Sequence, residues 1–66
     1  MKVLVNGEPI ELDDQSTVHD LLEVRSLADK PCAVEVNKEV VPKRRHEEHA
    51  LREGDQIEIV TLVGGG

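Results

Sequence analysis

The first hydrophobic positions alternate with polar ones on either side of the dipeptide Asn6-Gly7. Val3 and Val5 precede the dipeptide, and Ile10 and Leu12 follow it. A period of two is typical of a strand with one buried face, and Asn-Gly favours the positive φ angles of a tight turn. The pattern therefore predicts a β-hairpin in this part of the chain.

A helical period replaces this alternation after the polar residues 13–16. Thr17 is a favoured N-cap residue and Asp20 stands at the third helical position, so that the two can form a capping box. The apolar residues that share one face of the predicted helix are Val18, Leu21 and Leu22. Pro31 prevents the helix from continuing into the next segment.

Three further segments complete the predicted sheet. Residues 32–37 have apolar positions close to a period of two, residues 40–41 form a short apolar piece, and residues 56–63 are the longest β-like run. Residues 42–49 contain no apolar side chain, which indicates a solvated loop or a short exposed helical turn, and Leu51 is expected to anchor its far end. The order of elements predicts an α+β fold of the β-grasp type, with four to five strands in a mixed sheet over one main helix.

Composition narrows the possible functions. A chain of 66 residues without any aromatic side chain is expected to form one small aliphatic core, which leaves no room for an internal cofactor pocket and argues against an autonomous enzyme. With 14 acidic and 8 basic residues, the chain is expected to repel nucleic acid and to favour partners with basic surfaces. The single cysteine and the absence of a long apolar run predict a cytoplasmic protein without a disulfide, signal peptide or membrane span.

Several side chains are candidates for chemistry, but each has a simpler structural interpretation. Cys32 opens a predicted strand, and the sequence places no His or Lys to activate its thiol, so that a structural role is favoured. His46 and His49 are three residues apart rather than four and imply no third ligand, so that no metal site is predicted. Residues 43–45 form a short basic run next to two glutamates, and together with His19 they are interpreted as exposed surface.

The sequence ends in three glycines, Gly64, Gly65 and Gly66, directly after the last predicted strand. The predicted organisation is one domain over residues 1–63 and a flexible glycine tail over residues 64–66. A tail without side chains can enter a narrow channel and present its terminal carboxylate there. Conversion of that carboxylate to an acyl adenylate would let a sulfur nucleophile replace AMP at the carbonyl carbon of Gly66. A frayed end is the alternative interpretation of the glycines.

Taken together, four segments resemble the ThiS family of ubiquitin-like sulfur carrier proteins of thiamine biosynthesis. They are residues 17–22 (TVHDLL), 34–42 (VEVNKEVVP), 51–60 (LREGDQIEIV) and the terminal glycines. The resemblance covers the whole chain. It implies a β-grasp protein whose Gly66 carboxylate is adenylated with ATP by a ThiF-like enzyme and converted to a thiocarboxylate with sulfur from a donor protein. The thiocarboxylate would then supply sulfur to a ThiG-like thiazole synthase.

The resemblance thus implies a carrier that is a co-substrate of other enzymes, with no bound cofactor and no catalytic residue of its own. Three alternatives remain open: a ubiquitin-like protein modifier, a carrier for molybdopterin synthesis or tRNA thiolation, and an interaction module with an incidental tail. The last strand also predicts a docking surface, because its alternation breaks where apolar residues follow one another. Val60 and Leu62 are expected to form that surface unless residues 42–49 cover them.

Overall fold

The computed structural model describes residues 1–62, which form a five-stranded sheet and one α-helix. The strands are β1 (Lys2–Val5), β2 (Glu8–Glu11), β3 (Cys32–Val36), β4 (Glu39–Val41) and β5 (Gln56–Thr61). Helix α1 spans Val18–Val24, and a 3₁₀ turn spans Lys43–Arg45. The predicted boundary between a domain of residues 1–63 and a tail of residues 64–66 lies outside the described residues and stays a prediction.

The strand order is β2-β1-β5-β3-β4, so that β5 is the central strand of the sheet. It runs parallel to β1, with Val5 opposite Ile57, and antiparallel to β3, with Val34 opposite Ile59. The two outer pairs, β1 with β2 and β3 with β4, are antiparallel. This mixed sheet with a single helix confirms the predicted fold class.

Both hairpin turns use asparagine in the left-handed region of the Ramachandran plot. Asn6 has a φ of 50° and is followed by Gly7 at 85°, as the sequence predicts for the first hairpin. Asn37 has a φ of 52° and is followed by Lys38 at 71° in the turn between β3 and β4. Asparagine tolerates this conformation better than most residues, because its short side chain can form local hydrogen bonds.

The capping box of α1 is present as predicted. The Thr17 hydroxyl accepts a hydrogen bond from the Asp20 backbone N–H at 3.2 Å, and the Asp20 carboxylate accepts one from the Thr17 N–H at 2.9 Å. The apolar face of α1 packs on one face of the sheet and completes an entirely aliphatic core. The buried core residues are Val3, Val5, Leu12, Val18, Leu21, Leu22, Val34, Val36, Val41, Leu51, Ile57 and Ile59.

The end of the last strand differs from the sequence-based expectation. The last strand was predicted over residues 56–63, but β5 ends at Thr61, and Val63 lies outside the described residues. Leu62 still pairs with the neighbouring segment, because its N–H donates to the Pro31 carbonyl at 2.8 Å.

No helix in the described part of the chain is long and apolar enough to span a membrane.

Candidate functional site

Strand β5 carries the chain toward the glycines and separates two kinds of apolar residue. Ile57 and Ile59 point into the core and are almost fully buried. Val60 and Leu62 are 59% and 52% exposed, respectively, so that residues 42–49 do not cover them. The break in alternation that the sequence shows therefore corresponds to a surface where apolar side chains face solvent.

Strand pairing adds a third residue to this surface. In the register of β3 with β5, Ala33 lies directly opposite Val60, and both are exposed. Directly opposed residues on neighbouring strands point to the same face of a sheet, so that Ala33, Val60 and Leu62 form one surface, here called the outer patch. Sequence reasoning missed Ala33, because its place depends on the register of two strands that lie far apart in the chain.

Two asparagine side chains hold β5 in place from both sides. The Asn6 side chain accepts a hydrogen bond from the Ile59 N–H at 2.9 Å and donates one to the Ile59 carbonyl at 3.2 Å. The Asn37 side chain accepts one from the Gln56 N–H at 3.0 Å and donates one to the Asp55 carboxylate at 2.9 Å. The strand that precedes the glycines is thus joined to both hairpin turns.

The sequence-based interpretation of residues 42–49 as a solvated segment is wrong for His46. This side chain is only 6% exposed, and its Nε2 lies 3.0 Å from the Val41 carbonyl oxygen. Its own carbonyl accepts a hydrogen bond from the N–H of His19 at 2.8 Å, which ties the turn to α1. His46 is therefore a structural residue that fills the space between the turn and the helix.

The other candidate side chains occupy varied positions. His19 is partly exposed and lies 3.7 Å from Glu23, and His49 is half-buried. Cys32 is half-buried, with its Sγ 3.9 Å from the Leu27 carbonyl oxygen, in keeping with a structural role. Within residues 1–62, no group of three or more His, Cys, Asp or Glu side chains is placed to hold a metal ion.

The predicted site residues Gly64, Gly65 and Gly66 lie outside the described residues. The family model described as "ThiS family" matches residues 3–66, a range that includes these glycines. The chain belongs to the ThiS family. This confirms the resemblance based on the four sequence segments.

Curated relatives include sulfur carrier proteins and thiazole synthases. The sulfur carrier protein ThiS of Bacillus subtilis is 43% identical over 63 residues, covering 94% of this chain and 96% of the relative. ThiS of Escherichia coli is 30% identical over the full length of both chains. A thiazole synthase of Paramagnetospirillum magneticum is 39% identical over 66 residues, but this ThiS-family chain spans only 20% of that relative's length.

A solved ThiS structure shows the same fold. The crystal structure of the thiamine biosynthesis protein ThiS from Geobacter metallireducens matches with a TM-score of 0.82 and 30% identity, and the match covers all of both chains. The mixed sheet and single helix described above are therefore the β-grasp architecture of a ThiS protein.

Proposed function

We propose that this chain is a sulfur carrier protein of thiamine biosynthesis and that Gly66 carries the sulfur as a thiocarboxylate. The observation that carries the proposal is the family match, which extends to the last glycine. Two relatives of nearly the same length, named sulfur carrier protein ThiS, support it further. The chain would act in the cytoplasm as a co-substrate, with no bound cofactor and no catalysis of its own.

The chemistry requires activation of the Gly66 carboxylate, because a carboxylate is a poor electrophile. A ThiF-like enzyme would join it to the α-phosphate of ATP, forming an acyl adenylate and releasing pyrophosphate. A sulfur nucleophile supplied by a donor protein would then attack the carbonyl carbon, forming the C–S bond while AMP leaves with the electrons of the C–O bond. The glycines at 64 and 65 would let this carbonyl reach a narrow active site, since they carry no side chain.

A ThiG-like thiazole synthase is the proposed acceptor of the sulfur. Two relatives named thiazole synthase, from Paramagnetospirillum magneticum and Magnetococcus marinus, contain a segment that matches all 66 residues of this chain. In those relatives, a ThiS-like segment and a protein named thiazole synthase share one polypeptide. This arrangement supports a functional partnership between the present chain and a separate thiazole synthase.

Intact-mass spectrometry tests the carrier function directly. Incubation with ATP, a ThiF-like enzyme and a sulfur donor should replace one carboxylate oxygen of Gly66 by sulfur. The mass of the chain should rise by the difference between the masses of sulfur and oxygen. A variant that lacks Gly66 should gain no sulfur and should keep the far-UV circular dichroism of the wild type. An unchanged mass of the wild-type chain would contradict the proposal, and a branched Gly-Gly remnant on a target lysine would identify a protein modifier instead.

The outer patch is the proposed docking surface for the activating enzyme. Val60→Asp places a charge where an exposed apolar side chain would contact the partner, and we expect KM for adenylation to rise by about tenfold, which corresponds to about 1.4 kcal/mol of binding energy. Val24→Asp makes the same substitution at an exposed valine on α1, outside the outer patch, and is the matched control that should leave KM unchanged. Pyrophosphate release measures both, and equal KM values for Val60→Asp and the wild type would exclude Val60 from the interface.

A further inference from the structure

A second surface lies on the other side of β3 from the outer patch. It is an open groove of about 740 Å³ between α1, the segment that leads into β3 and the 3₁₀ turn. Leu22 and Ala28 provide apolar lining, and Cys32 lines the groove where β3 begins. A groove of this size accommodates several residues of an extended peptide, which is far more than a single inorganic anion requires.

The groove concentrates positive charge on an otherwise acidic protein. Lys30, Lys43 and Arg44 line it and are exposed, whereas the whole chain carries a formal net charge of −6. The ion pairs found within residues 1–62 involve none of these three cations. Glu47 also lines the groove, but the cations outnumber it. Their charge is therefore available to an acidic ligand.

His46 lines this groove although most of its side chain is buried. Because a backbone carbonyl can only accept, Nε2 of His46 must donate the hydrogen bond to Val41. In the neutral ring the hydrogen then lies on Nε2, and Nδ1 is left as an acceptor. No hydrogen bond within residues 1–62 uses Nδ1, and because that part of the chain contains no fully buried side-chain N or O atom without a partner, Nδ1 must be accessible to solvent or to a ligand. This nitrogen can accept a hydrogen bond from a ligand such as a peptide N–H.

The groove adjoins the point where the chain leaves the sheet. Pro31, which lies between the lining residues Lys30 and Cys32, accepts the hydrogen bond from the N–H of Leu62. The outer patch begins at this same end of the sheet, because it contains Leu62. A protein that takes up the glycines therefore approaches the edge of the groove as well.

We propose that the groove binds an acidic, partly apolar peptide segment of the protein that takes up the glycine tail. Carboxylates of that segment pair with Lys30, Lys43 and Arg44, apolar side chains contact Leu22 and Ala28, and a backbone N–H donates to His46. The proposal rests on the proposed carrier function for the identity of the partner. A nucleic acid would use the same cations, but its phosphates continue along the strand beyond the groove and would meet the acidic remainder of the chain, whereas a short acidic peptide segment stays within the groove.

Charge reversal tests the groove in the full chain. Lys43→Glu with Arg44→Glu should raise the Kd for the ThiF-like or the ThiG-like protein of the same organism by at least about tenfold, as expected when attraction becomes repulsion. Lys2→Glu with Lys38→Glu makes the same change in net charge at exposed positions outside the groove and should change Kd by less than about twofold. Isothermal titration calorimetry measures Kd, and far-UV circular dichroism checks that each variant is folded.

Unchanged Kd values of the charge-reversal variant for both partners would overturn the proposal, and so would an equal rise in Kd for the control variant. It would also be overturned if pyrophosphate alone shifted the amide NMR signals of groove residues while charge reversal left the Kd for both partners unchanged. The last result would assign the groove to a small anion. Sulfur loading is measured separately by intact mass. A wild-type chain that binds its partners but gains no sulfur would exclude the carrier function, while the comparison of Kd values would still decide whether an acidic partner uses the groove.

Discussion

Asn6 combines a turn conformation with two hydrogen bonds to the backbone of β5, both to Ile59. Asn6→Ala removes both bonds and places alanine at a positive φ, so that we expect a loss of about 1–3 kcal/mol in unfolding free energy. Asn6→Asp keeps the acceptor and tolerates the conformation, and should lose less. Urea unfolding followed by far-UV circular dichroism measures both. Equal losses would show that the side-chain acceptor and the tolerance of the turn conformation contribute nothing.

His46 provides a second prediction for a single side chain. His46→Ala leaves the Val41 carbonyl without its donor and opens a cavity beside α1, which should lower the unfolding free energy by about 1–3 kcal/mol. His49→Ala is the matched control, because this neighbouring histidine is half-buried and its backbone, not its side chain, bonds to Val18. A smaller loss for His46→Ala than for His49→Ala in urea unfolding would contradict the structural role of His46.

The sequence predicted the turn at Asn6-Gly7 but not the bonds from Asn6 to a strand 53 positions away. Local turn preference depends on the residue and its neighbours, whereas these bonds depend on the parallel pairing of β1 with β5. The burial of His46 was missed for a related reason. Residues 42–49 give no apolar signal, and the ring is buried only because the fold brings α1 and the Val41 carbonyl to it.

The capping box gives α1 a dependence on pH. The Thr17 backbone N–H, and secondarily its side chain, lower the pKa of the Asp20 carboxyl below its ordinary value of 3.8. Because the pKa of Asp20 is lower in the folded state, its carboxylate stabilises the folded protein fully above pH 3.8. This stabilisation is lost as the pH falls through the folded-state pKa. The unfolding free energy of the wild type should therefore exceed that of Asp20→Asn most at neutral pH. The difference should narrow below pH 3.8 in urea titrations, and a constant difference would exclude the charge as its cause.

The elements could largely be predicted from hydrophobic period and cap residues. Alternation on both sides of Asn6-Gly7 corresponds to β1 and β2, and Thr17 with Asp20 marks the start of α1. The end of β5 could not be predicted from the sequence, because apolar residues continue beyond Thr61. The strand ends there because its pairing partners on β3 begin only at Cys32. Propensity indicates a strand, but the available partners decide its length.

Because the aliphatic core is small, the protein tolerates only a small loss of unfolding free energy. Ile57 lies on the central strand and is 1% exposed. Ile57→Ala should lower the unfolding free energy by about 2–5 kcal/mol, whereas Ile57→Val should lower it by about 0.5–1.5 kcal/mol. Because domains of this size have little stability to lose, we expect Ile57→Ala to be partly unfolded at room temperature and Ile57→Val to melt cooperatively. Thermal unfolding followed by far-UV circular dichroism distinguishes them, and similar melting temperatures would indicate a core that relaxes around the cavity.

Charge is a property of the whole molecule that the sequence described only on average. A net charge of −6 indicated partners with basic surfaces, and residues 43–45 were interpreted as a solvated run. The fold instead places Lys30 in the lining of the same groove as Lys43 and Arg44, which lie thirteen and fourteen positions further along the chain. The spatial clustering of charges depends on chain topology, which composition and local pattern do not contain.

The central position of β5 also determines how the molecule bears force. If a partner draws the last residues into its active site, as we propose, a pull along the axis of β5 acts on a strand that is flanked by β1 and β3. Such a load acts in shear on both ladders and on the bonds from Asn6 and Asn37, so that many bonds must break at once. A strand at the sheet edge under the same load would be held by one ladder instead of two. The pairing of β5 on both sides therefore favours a domain that stays folded when its C-terminal end is pulled.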